Sequence, residues 1–567
     1  MNLFRHISTL RAKKSASSHE IAPEDVFLDS QNLSQLNIEQ MEGHLERPLG
    51  KHVFYMFVGL IIIIIGGFTY RLFAMQVTEA ESYKEKADKN HLRSTPIFAL
   101  RGTITDRNGV LLAWNEAPAT TTLEIPKRSY IEEEGFSHVL GYVSYPKKDK
   151  GGIFWQEEYI GKDGIEKQYQ LLLQGVAGEK VIGVNAMQKI ETENTVVDPV
   201  HGQNIKLTID KDVQAKLYER MEALAKRVGF VAGAGVIMDV YTGEVLALVS
   251  YPEYDNNLIT NAVTLAEKSQ VSSDLLDKKQ VFLNRAVSGL FTPGSTVKPF
   301  IAYAALVEGV ITPEKQILST GALVIKNKYG GPDTIFKDWK VHGWTNMQKA
   351  IAQSSDEYFY QIGGGYEGQK GLGIARIDEY TKMFGFDTET GIDLPGENNG
   401  VIPTPEWKQK VFGEDWLVGN TYHTSIGQYG FQMTPLELIR GVAAIANGGI
   451  LVTPHIKQGL ETTQTDLQLD QNALSVIRDG MRHAVTDATV KALDIPGVKV
   501  AGKSGTAELG VKKDLVNSWI SGYFPYEDPK YAFVVIMEKG SVHNLQGAVF
   551  AMRETLEWMR DNTDYTK

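Results

Sequence analysis

The 567-residue chain contains no cysteine, which excludes disulfides, thiolate zinc sites and thiol nucleophiles. It is also short of positive charge: 58 Lys and Arg stand against 69 Asp and Glu, a net charge of -11. A nucleic-acid-binding protein would carry a basic excess, so no nucleic-acid partner is expected. The sequence has no internal repeat and no long low-complexity tract, which excludes solenoid and fibrous architectures. With 43% hydrophobic and 22% charged residues, the balance is that of a globular protein. Its length calls for two or three folded units.

Long apolar runs are lacking too, with one exception. Val53 to Tyr70 holds no charged residue and includes Leu60-Ile61-Ile62-Ile63-Ile64-Ile65. As a helix rising about 1.5 Å per residue this stretch reaches roughly 27 Å, close to the hydrocarbon thickness of a bilayer. Residues 52–74 therefore read as one transmembrane helix, because a uniformly apolar helix beside a polar tail needs lipid more than protein. The fifty residues ahead of it are too many for a cleaved signal peptide. Basic residues flank both ends (Arg47 and Lys51; Arg71, Lys84, Lys86), so the positive-inside rule leaves the orientation open. Residues 1–51 are polar, with an acidic middle at Glu24, Asp25 and Asp29. They read as a largely disordered tail with a short helix near Leu36 to Leu45.

Beyond the span, a polar juxtamembrane helix is expected at about 75–92. Arg101-Gly102-Thr103-Ile104-Thr105-Asp106-Arg107-Asn108-Gly109-Val110-Leu111 alternates apolar residues around an Asn-Gly turn and predicts a β-hairpin. Residues 75–200 together read as an elongated, strand-rich module without a catalytic cluster. A strand pattern follows at Ile205 to Ile209, and Asp210 is the expected N-cap of a helix running to about Lys226. Gly235 to Val240 and Glu244 to Val249 flank a tight turn, Tyr241-Thr242-Gly243. Helical patterns dominate from 296 to 450. Strands return near Val498 to Val500, Val516 to Phe524 and Tyr531 to Met537, and a helix closes the chain. Strands at both ends with helices between them predict an α+β domain, 201–567, whose sheet joins distant segments.

Three segments carry chemistry. In Pro293-Gly294-Ser295-Thr296-Val297-Lys298, residues 295 and 298 share one face of a helix. A serine is a poor nucleophile until a neighbouring base takes its proton, and a lysine serves as that base only where burial or nearby positive charge favours its neutral form. Pro299 is tolerable only near a helix start, which puts Ser295 at the mouth. Ser144-Tyr145-Pro146-Lys147 has the same spacing, but its internal proline disfavours a helical turn. The second segment, Ser354-Ser355-Asp356 in an expected helix, offers a hydroxyl that could relay a proton and a carboxylate for a lysine or a substrate amide. Tyr358 and Phe359 beside it read as core contacts. In the third, Lys503-Ser504-Gly505-Thr506, a strand leads into small residues. Gly505 lets the backbone approach an extended peptide, while Lys503 and the hydroxyls of Ser504 and Thr506 suit a carboxylate. A backbone N–H here is a candidate half of an oxyanion hole.

Jointly the segments resemble the penicillin-binding protein and serine β-lactamase superfamily, with its Ser-x-x-Lys, Ser-x-Asn/Asp and Lys-Ser/Thr-Gly signature. The resemblance extends to Asn284-Arg285-Ala286, Gly391 to Glu397, Ile402-Pro403-Thr404-Pro405, Ser425-Ile426-Gly427-Gln428, Thr434-Pro435-Leu436-Glu437 and Ala446-Asn447-Gly448-Gly449. Arg101-Gly102 with Asp106-Arg107-Asn108-Gly109 is similar to the pedestal signature of the class B enzymes. Gly343-Trp344 and Ser354 to Tyr360 are most similar to the elongation type, penicillin-binding protein 2. The resemblance implies a serine transpeptidase fold, an antiparallel sheet with helices on both faces, standing on a pedestal at 75–200 whose head is reduced. It implies a DD-transpeptidase acting on peptidoglycan stem peptides outside the cytoplasmic membrane, with β-lactams as covalent inhibitors. Ser295 would be the nucleophile, Lys298 the base, Ser354 the proton relay and Lys503 the carboxylate contact. Asp356, Ser504, Gly505 and Thr506 would line the substrate, and the backbone N–H groups of Ser295 and Thr506 would form the oxyanion hole. No cofactor and no metal are called for. The expected partner is a SEDS-family glycan polymerase, and the expected topology puts residues 1–51 in the cytoplasm. The chain departs from the family pattern at Gly427-Gln428-Tyr429-Gly430, where Gly-Gln-Gly-Tyr is usual.

Other readings use the same fold. A division-type transpeptidase, a β-lactamase or a DD-carboxypeptidase would share the acylation chemistry. The Glu-x-x-Leu-Asn motif of class A β-lactamases is absent, and a membrane anchor with a pedestal suits a wall synthase. A non-catalytic scaffold would not need all three motifs intact.

Overall fold

A computed structural model describes residues 51–84, 92–116, 125–150, 154–184, 190–328, 330–510 and 512–567. The tail at 1–50 and the second half of the expected juxtamembrane helix lie outside the described residues. Two compact units emerge, one up to His91 and one from Leu92 to Lys567.

In the first unit, α1 (Lys51–Phe73) carries the apolar run, and none of its residues is buried. It continues as a π-helical turn, Ala74–Thr78, and the stretch Lys51–Thr78 is long and apolar enough to cross a membrane. Helix resumes at residues 80–84.

The second unit opens with the strand-rich region. Leu92–Ile97, Gly178–Val184 and Ile190–Val197 form one antiparallel sheet, and Ile104–Thr105, Leu111–Glu116, Lys127–Tyr130 and Ile205–Lys206 form another. The expected hairpin is present: Ile104 pairs with Ala113. Its turn is held by Asp106, whose Oδ1 accepts from the backbone N–H of Asn108 and Val110, with Gly109 at φ 89°. The other Asp106 oxygen accepts from the N–H of Lys211, and so ties the turn to the first helix of the next region. Arg101 and Arg128 are fully buried and converge on the carboxylate of Glu166. Burial alone would raise that carboxyl; the two guanidinium groups win and hold it below the usual range. The serine–lysine pair at 144 and 147 lies on two short strands, not a helical turn.

The central sheet has the order β2-β1-β5-β4-β3, where β1 is Ala232–Asp239, β2 Val245–Tyr251, β3 Ala501–Leu509, β4 Leu515–Phe524 and β5 Tyr531–Ser541. All four pairings are antiparallel. Chain ends therefore meet in the middle of the sheet, as the strand distribution predicts, and β3 is an edge strand. Both faces are covered. Phe533, Val535 and Met537 of β5 pack with α2 (Lys211–Val228) and the closing helix, Ala548–Asn562, while Ala532, Val534 and Ile536 face the other core. This period-2 split of an apolar strand is what burial on two faces requires. The Phe, Val, Ile and Met side chains among them each contribute about 1.5–3 kcal/mol by burial.

Asp210 caps α2 as expected, accepting from the N–H of Asp212 and Val213. The helical region holds α3 (Lys298–Val307), α4 (Met347–Gln353), α5 (Asp356–Gly364), α6 (Pro435–Asn447) and α7 (Gln471–Thr486). Thr434 and Glu437 form a capping box with Pro435 in the first turn of α6, which explains the Thr-Pro-x-Glu pattern. One expectation is corrected. The stretch 296–450 is not purely helical: short strands at Ile317–Ser319, Ala322–Ile325, Thr334–Lys337 and Gly343–Thr345 form two ribbons between α3 and α4. Leu318 faces Trp344 across one of them, and both side chains are exposed. That outward apolar pairing hid the strands from a search for buried alternation.

Candidate active site

Ser295 lies in a 3₁₀ turn, Gly294–Val297, from which α3 continues directly at Lys298 with Pro299 in its first turn. The tighter turn replaces the first α-helical turn expected here. It is pinned from the sheet: the buried Trp519 of β4 donates its indole N–H to the Thr292 carbonyl at 3.0 Å. Gly294 has φ 55°, and a Cβ there would come 2.8 Å from the Thr506 carbonyl oxygen. Gly505 is equally constrained, since its Cβ would meet the Pro293 oxygen and Thr296 Cγ2, both at 2.8 Å. The glycines thus let the nucleophile turn and β3 lie backbone against backbone.

The strand at the third segment begins later than expected. It starts at Ala501 and runs through the motif, so Lys503 to Thr506 lie within β3. Two glycines in five residues would weaken an isolated strand; here the neighbouring turn and β4 supply its packing. Lys503, Gly505 and Ala507 are buried, while Ser504 is half-buried and Thr506 exposed, the alternation of a strand with one solvated face; the sheet order leaves its outer edge unpaired by any other strand of this sheet.

The second segment also differs from its expected form. Ser354 is not inside a helix but at the junction of two. Helix α4 ends at Gln353, Ser354 takes a left-handed conformation (φ 57°, ψ 43°), and Ser355 caps α5 by accepting from the Tyr358 N–H. A non-glycine residue in this region costs on the order of 1–3 kcal/mol and persists where its surroundings over-determine it. Small polar side chains that compete for backbone hydrogen bonds favour such a break. Tyr358 and Phe359 are fully buried core residues, as expected.

Three segments meet at the Ser354 hydroxyl. The fully buried Lys298 places Nζ 2.9 Å from Ser354 O, 3.3 Å from Ser354 Oγ and 2.5 Å from Asp356 Oδ1. The Phe359 ring lies 5.3 Å away. Lys503, also fully buried, donates from Nζ to Ser354 Oγ and to the Ser504 carbonyl, both at 2.8 Å. Burial and the nearby Lys298 charge push the Lys503 amine well below its ordinary value, opposed by Asp356. Lys298, Ser354, Asp356 and Lys503 thus form one hydrogen-bonded cluster, Ser295 lies in the turn that leads into Lys298, and Ser504, Gly505 and Thr506 run along β3 beside that turn.

At the departure from the family pattern, Gly427 (φ 72°) is required, because a Cβ would lie 2.1 Å from the Gly294 oxygen. Its carbonyl accepts from the Gly294 N–H at 3.0 Å. Tyr429 takes φ 59° before Gly430 and packs edge-on against Trp407 and Trp416, so the turn closes with its aromatic one place earlier.

Three residues outside the motifs also touch the Ser354 junction. Trp339 donates its indole N–H to Ser354 O at 3.1 Å, and Asp338 Oδ2 accepts from Ser355 Oγ and the Glu357 N–H, each at 2.9 Å. His342 lies between Asp338 Oδ1 and Gln353 Oε1. Nothing in the sequence flags them beyond their closeness to Gly343-Trp344, since their partners are up to nineteen positions away.

The penicillin binding protein transpeptidase domain family matches residues 233–552, and the penicillin-binding protein dimerisation domain family matches 115–207. The chain is 33% identical over 515 residues to the peptidoglycan D,D-transpeptidase MrdA of Haemophilus influenzae, covering 84% of this chain and 76% of that protein. The solved complex of penicillin-binding protein 2 and MreC from Helicobacter pylori is similar over 83% of this chain and 99% of that one, at 27% identity and TM-score 0.67. A structure of a peptidoglycan synthase complex is similar over 91% of this chain and 99% of that one, at 25% identity and TM-score 0.69. With its sheet, its three convergent segments and these relatives, the chain belongs to the penicillin-binding protein transpeptidase family, among relatives named penicillin-binding protein 2 and MrdA.

Proposed function

We propose that the protein is an elongation-type peptidoglycan D,D-transpeptidase working through an acyl-enzyme on Ser295. The observation that carries this reading is the convergence of Lys298, Ser354 and Lys503 on one hydroxyl beside the turn that bears Ser295. Ser295 Oγ attacks the D-Ala-D-Ala carbonyl as its proton passes to Lys298; the C–N bond then breaks as that proton is delivered through Ser354 to the departing D-alanine amine. An amine of a neighbouring stem peptide attacks the acyl-enzyme, its proton passes to Lys298, and the same proton returns to Ser295 Oγ as the ester bond breaks.

Two buried lysines beside one carboxylate disfavour two full charges at once. Ser354 Oγ, bonded to both amines, is the path by which a proton shifts between them. A substrate carboxylate at Lys503 holds the proton there and leaves Lys298 free as base. Both lone pairs of the Ser354 hydroxyl are then engaged, so its own O–H is available to the departing amine. Asp356 orients Lys298. The open side of β3 accepts the donor peptide as an added strand, with Ser504 and Thr506 toward its carboxylate. The backbone N–H groups of Ser295 and Thr506, brought close by Gly294 and Gly505, polarise the carbonyl.

The apolar α1 supports a single-pass anchor in the cytoplasmic membrane, with residues 1–51 inside and the catalytic region outside, where the substrate lies. Residues 75–200 serve as pedestal and 201–567 as the transpeptidase domain. The partner is a SEDS-family glycan polymerase; support comes from the similar chain found in a peptidoglycan synthase complex. β-Lactams bind covalently as substrate mimics.

The test is incubation of the full-length protein with a fluorescent penicillin, beside Ser295→Ala and Lys298→Ala. The expected result is an adduct on Ser295 alone, slow to hydrolyse, with labelling strongly reduced in the lysine variant. Equal labelling of the three proteins, or rapid release of hydrolysed drug, would overturn the reading.

A further inference from the structure

Ser354 is the pivot of the proposed chemistry, yet its backbone conformation is one a serine does not hold unaided. Part of its restraint comes from Lys298, whose Nζ donates to Ser354 O at 2.9 Å. As the neutral base, Lys298 has two N–H for the three oxygens it reaches, Ser354 O, Ser354 Oγ and Asp356 Oδ1, so that restraint is weaker before the lysine takes the proton of Ser295 than after. A second, chemically inert donor to the same carbonyl keeps the junction in place while the amine is neutral.

The short segment Asp338–His342, leading out of the strand Thr334–Lys337, supplies it. Trp339 Nε1 donates to Ser354 O at 3.1 Å, so the carbonyl is shared by the indole and the lysine. One residue earlier, Asp338 fixes the other side of the junction: its Oδ2 accepts from the Ser355 hydroxyl and from the Glu357 N–H at the start of α5. Both Asp338 and His342 have fully buried side chains, and they face each other at 3.3 Å. The His342 ring also meets Gln353 Oε1 at 3.1 Å, on the last residue of α4. The segment is anchored in turn: the Asp338 N–H donates to the Gly321 carbonyl, and Lys349 Nζ donates to the carbonyls of His342 and Trp344. It therefore grips the end of α4, the carbonyl of Ser354 and the first turn of α5, all three parts of the helix junction.

We infer that Asp338, Trp339 and His342 form a strap that positions Ser354 and Asp356 for acylation, with Trp339 holding the Ser354 carbonyl when Lys298 acts as base. The inference rests on the acyl-enzyme reading above. Trp339 and Asp338 are positioning residues: they touch the relay residue and its helix, not the reacting atoms.

The experiment measures penicillin acylation of the full-length protein, separating the affinity of the first encounter from the rate constant of acylation, with melting temperature recorded for each variant. Trp339→Phe keeps an aromatic ring and removes the N–H. Loss of one such hydrogen bond at the transition state is expected to slow acylation about tenfold, with encounter affinity and melting temperature unchanged. Asp338→Ala should slow it further, and Asp338→Asn, which keeps an acceptor, should recover part of the rate. Should Asp338→Ala fail to fold, Trp339→Phe and Asp338→Asn carry the test. Wild-type acylation rates in those two variants, or losses that track only the unfolded fraction, would overturn the strap. Ser295→Ala is run alongside: if it stays unlabelled while Trp339→Phe behaves as wild type, the strap alone falls, whereas labelling of Ser295→Ala would bring down the acyl-enzyme reading and the strap with it.

Discussion

Lys298 and Lys503, 205 positions apart in the chain, both aim their amines at the hydroxyl of Ser354, at 3.3 and 2.8 Å. Both side chains are fully buried, and Asp356 is the carboxylate that meets them, through Lys298. Such an arrangement is stable with one positive charge and strained with two. On the proposed mechanism the pair acts as a proton switch that responds to an arriving anion.

The first prediction concerns pH. The Lys503 amine is depressed well below 10.5 by burial and by Lys298. A folded value below the unfolded one means that the unfolded chain binds more protons across the interval between them. The contribution to stability therefore rises with pH through that interval, up to 10.5. Carboxylate binding works the other way, since the anion pairs with the ammonium form. Encounter affinity for a carboxylate-bearing penicillin should fall as pH rises through the same interval, and Lys503→Arg, which stays charged, should flatten the dependence. Stopped-flow acylation at a series of pH values checks this; a flat wild-type profile would refute it.

The second concerns the close approach of β3 to the nucleophile turn. A methyl at 505 would press on the Pro293 oxygen and Thr296 Cγ2 at 2.8 Å. Gly505→Ala should cost about 1–3 kcal/mol of stability and slow acylation about a hundredfold by displacing Ser295 from its attack geometry. Penicillin labelling rate and thermal melting measure both effects. A variant that melts lower but acylates normally would show that the contact is structural alone.

The third concerns the buried cluster of the strand-rich region. Glu166 is the carboxylate between Arg101 and Arg128, and all three side chains have no exposure. Glu166→Gln removes the counter-charge from two desolvated guanidinium groups and should destabilise this region by about 3–5 kcal/mol. Limited proteolysis should cut between residues 92 and 200 first. Unchanged protease resistance would contradict the proposed weight of the cluster.

The fourth concerns Glu437. Burial raises its carboxyl to about 7, against the hydrogen bonds from Thr434 and Gly400. A carboxyl raised in the folded state contributes stability that is complete below 4.5 and is lost as pH rises through about 7. The stability advantage of wild type over Glu437→Gln should therefore shrink between pH 4.5 and 8, by on the order of 3 kcal/mol. Denaturant titrations at several pH values test this, and a constant difference would exclude it.

Much was legible from residues alone because the deciding physics was local. An uncharged run from Val53 to Tyr70 can satisfy its backbone only as a helix, and the described residues place α1 there. Asp210 caps α2 because a short acceptor just ahead of a helical pattern reaches the free N–H groups of the first turn. Pro299 after Lys298 marks a helix start wherever it occurs, since the ring removes a donor that only a first turn can spare. The unbroken apolar run from Tyr531 to Met537 marks a strand buried on two faces without revealing its neighbours.

What the one-dimensional pattern left undecided was everything set by contacts between distant segments. The left-handed turn at Ser354 is held by Trp339, Lys298 and Lys503, at 15, 56 and 149 positions' separation, and β3 starts where Ala501 meets Tyr523 of β4; no local preference encodes these partners. Asp338 and Trp339 carry no motif, and their meaning comes from the atoms they reach. The chain alone determined which groups are chemically able to act; the tertiary structure decided which of them share an oxygen, because desolvation and hydrogen-bond geometry depend on distance through space and not on separation along the sequence.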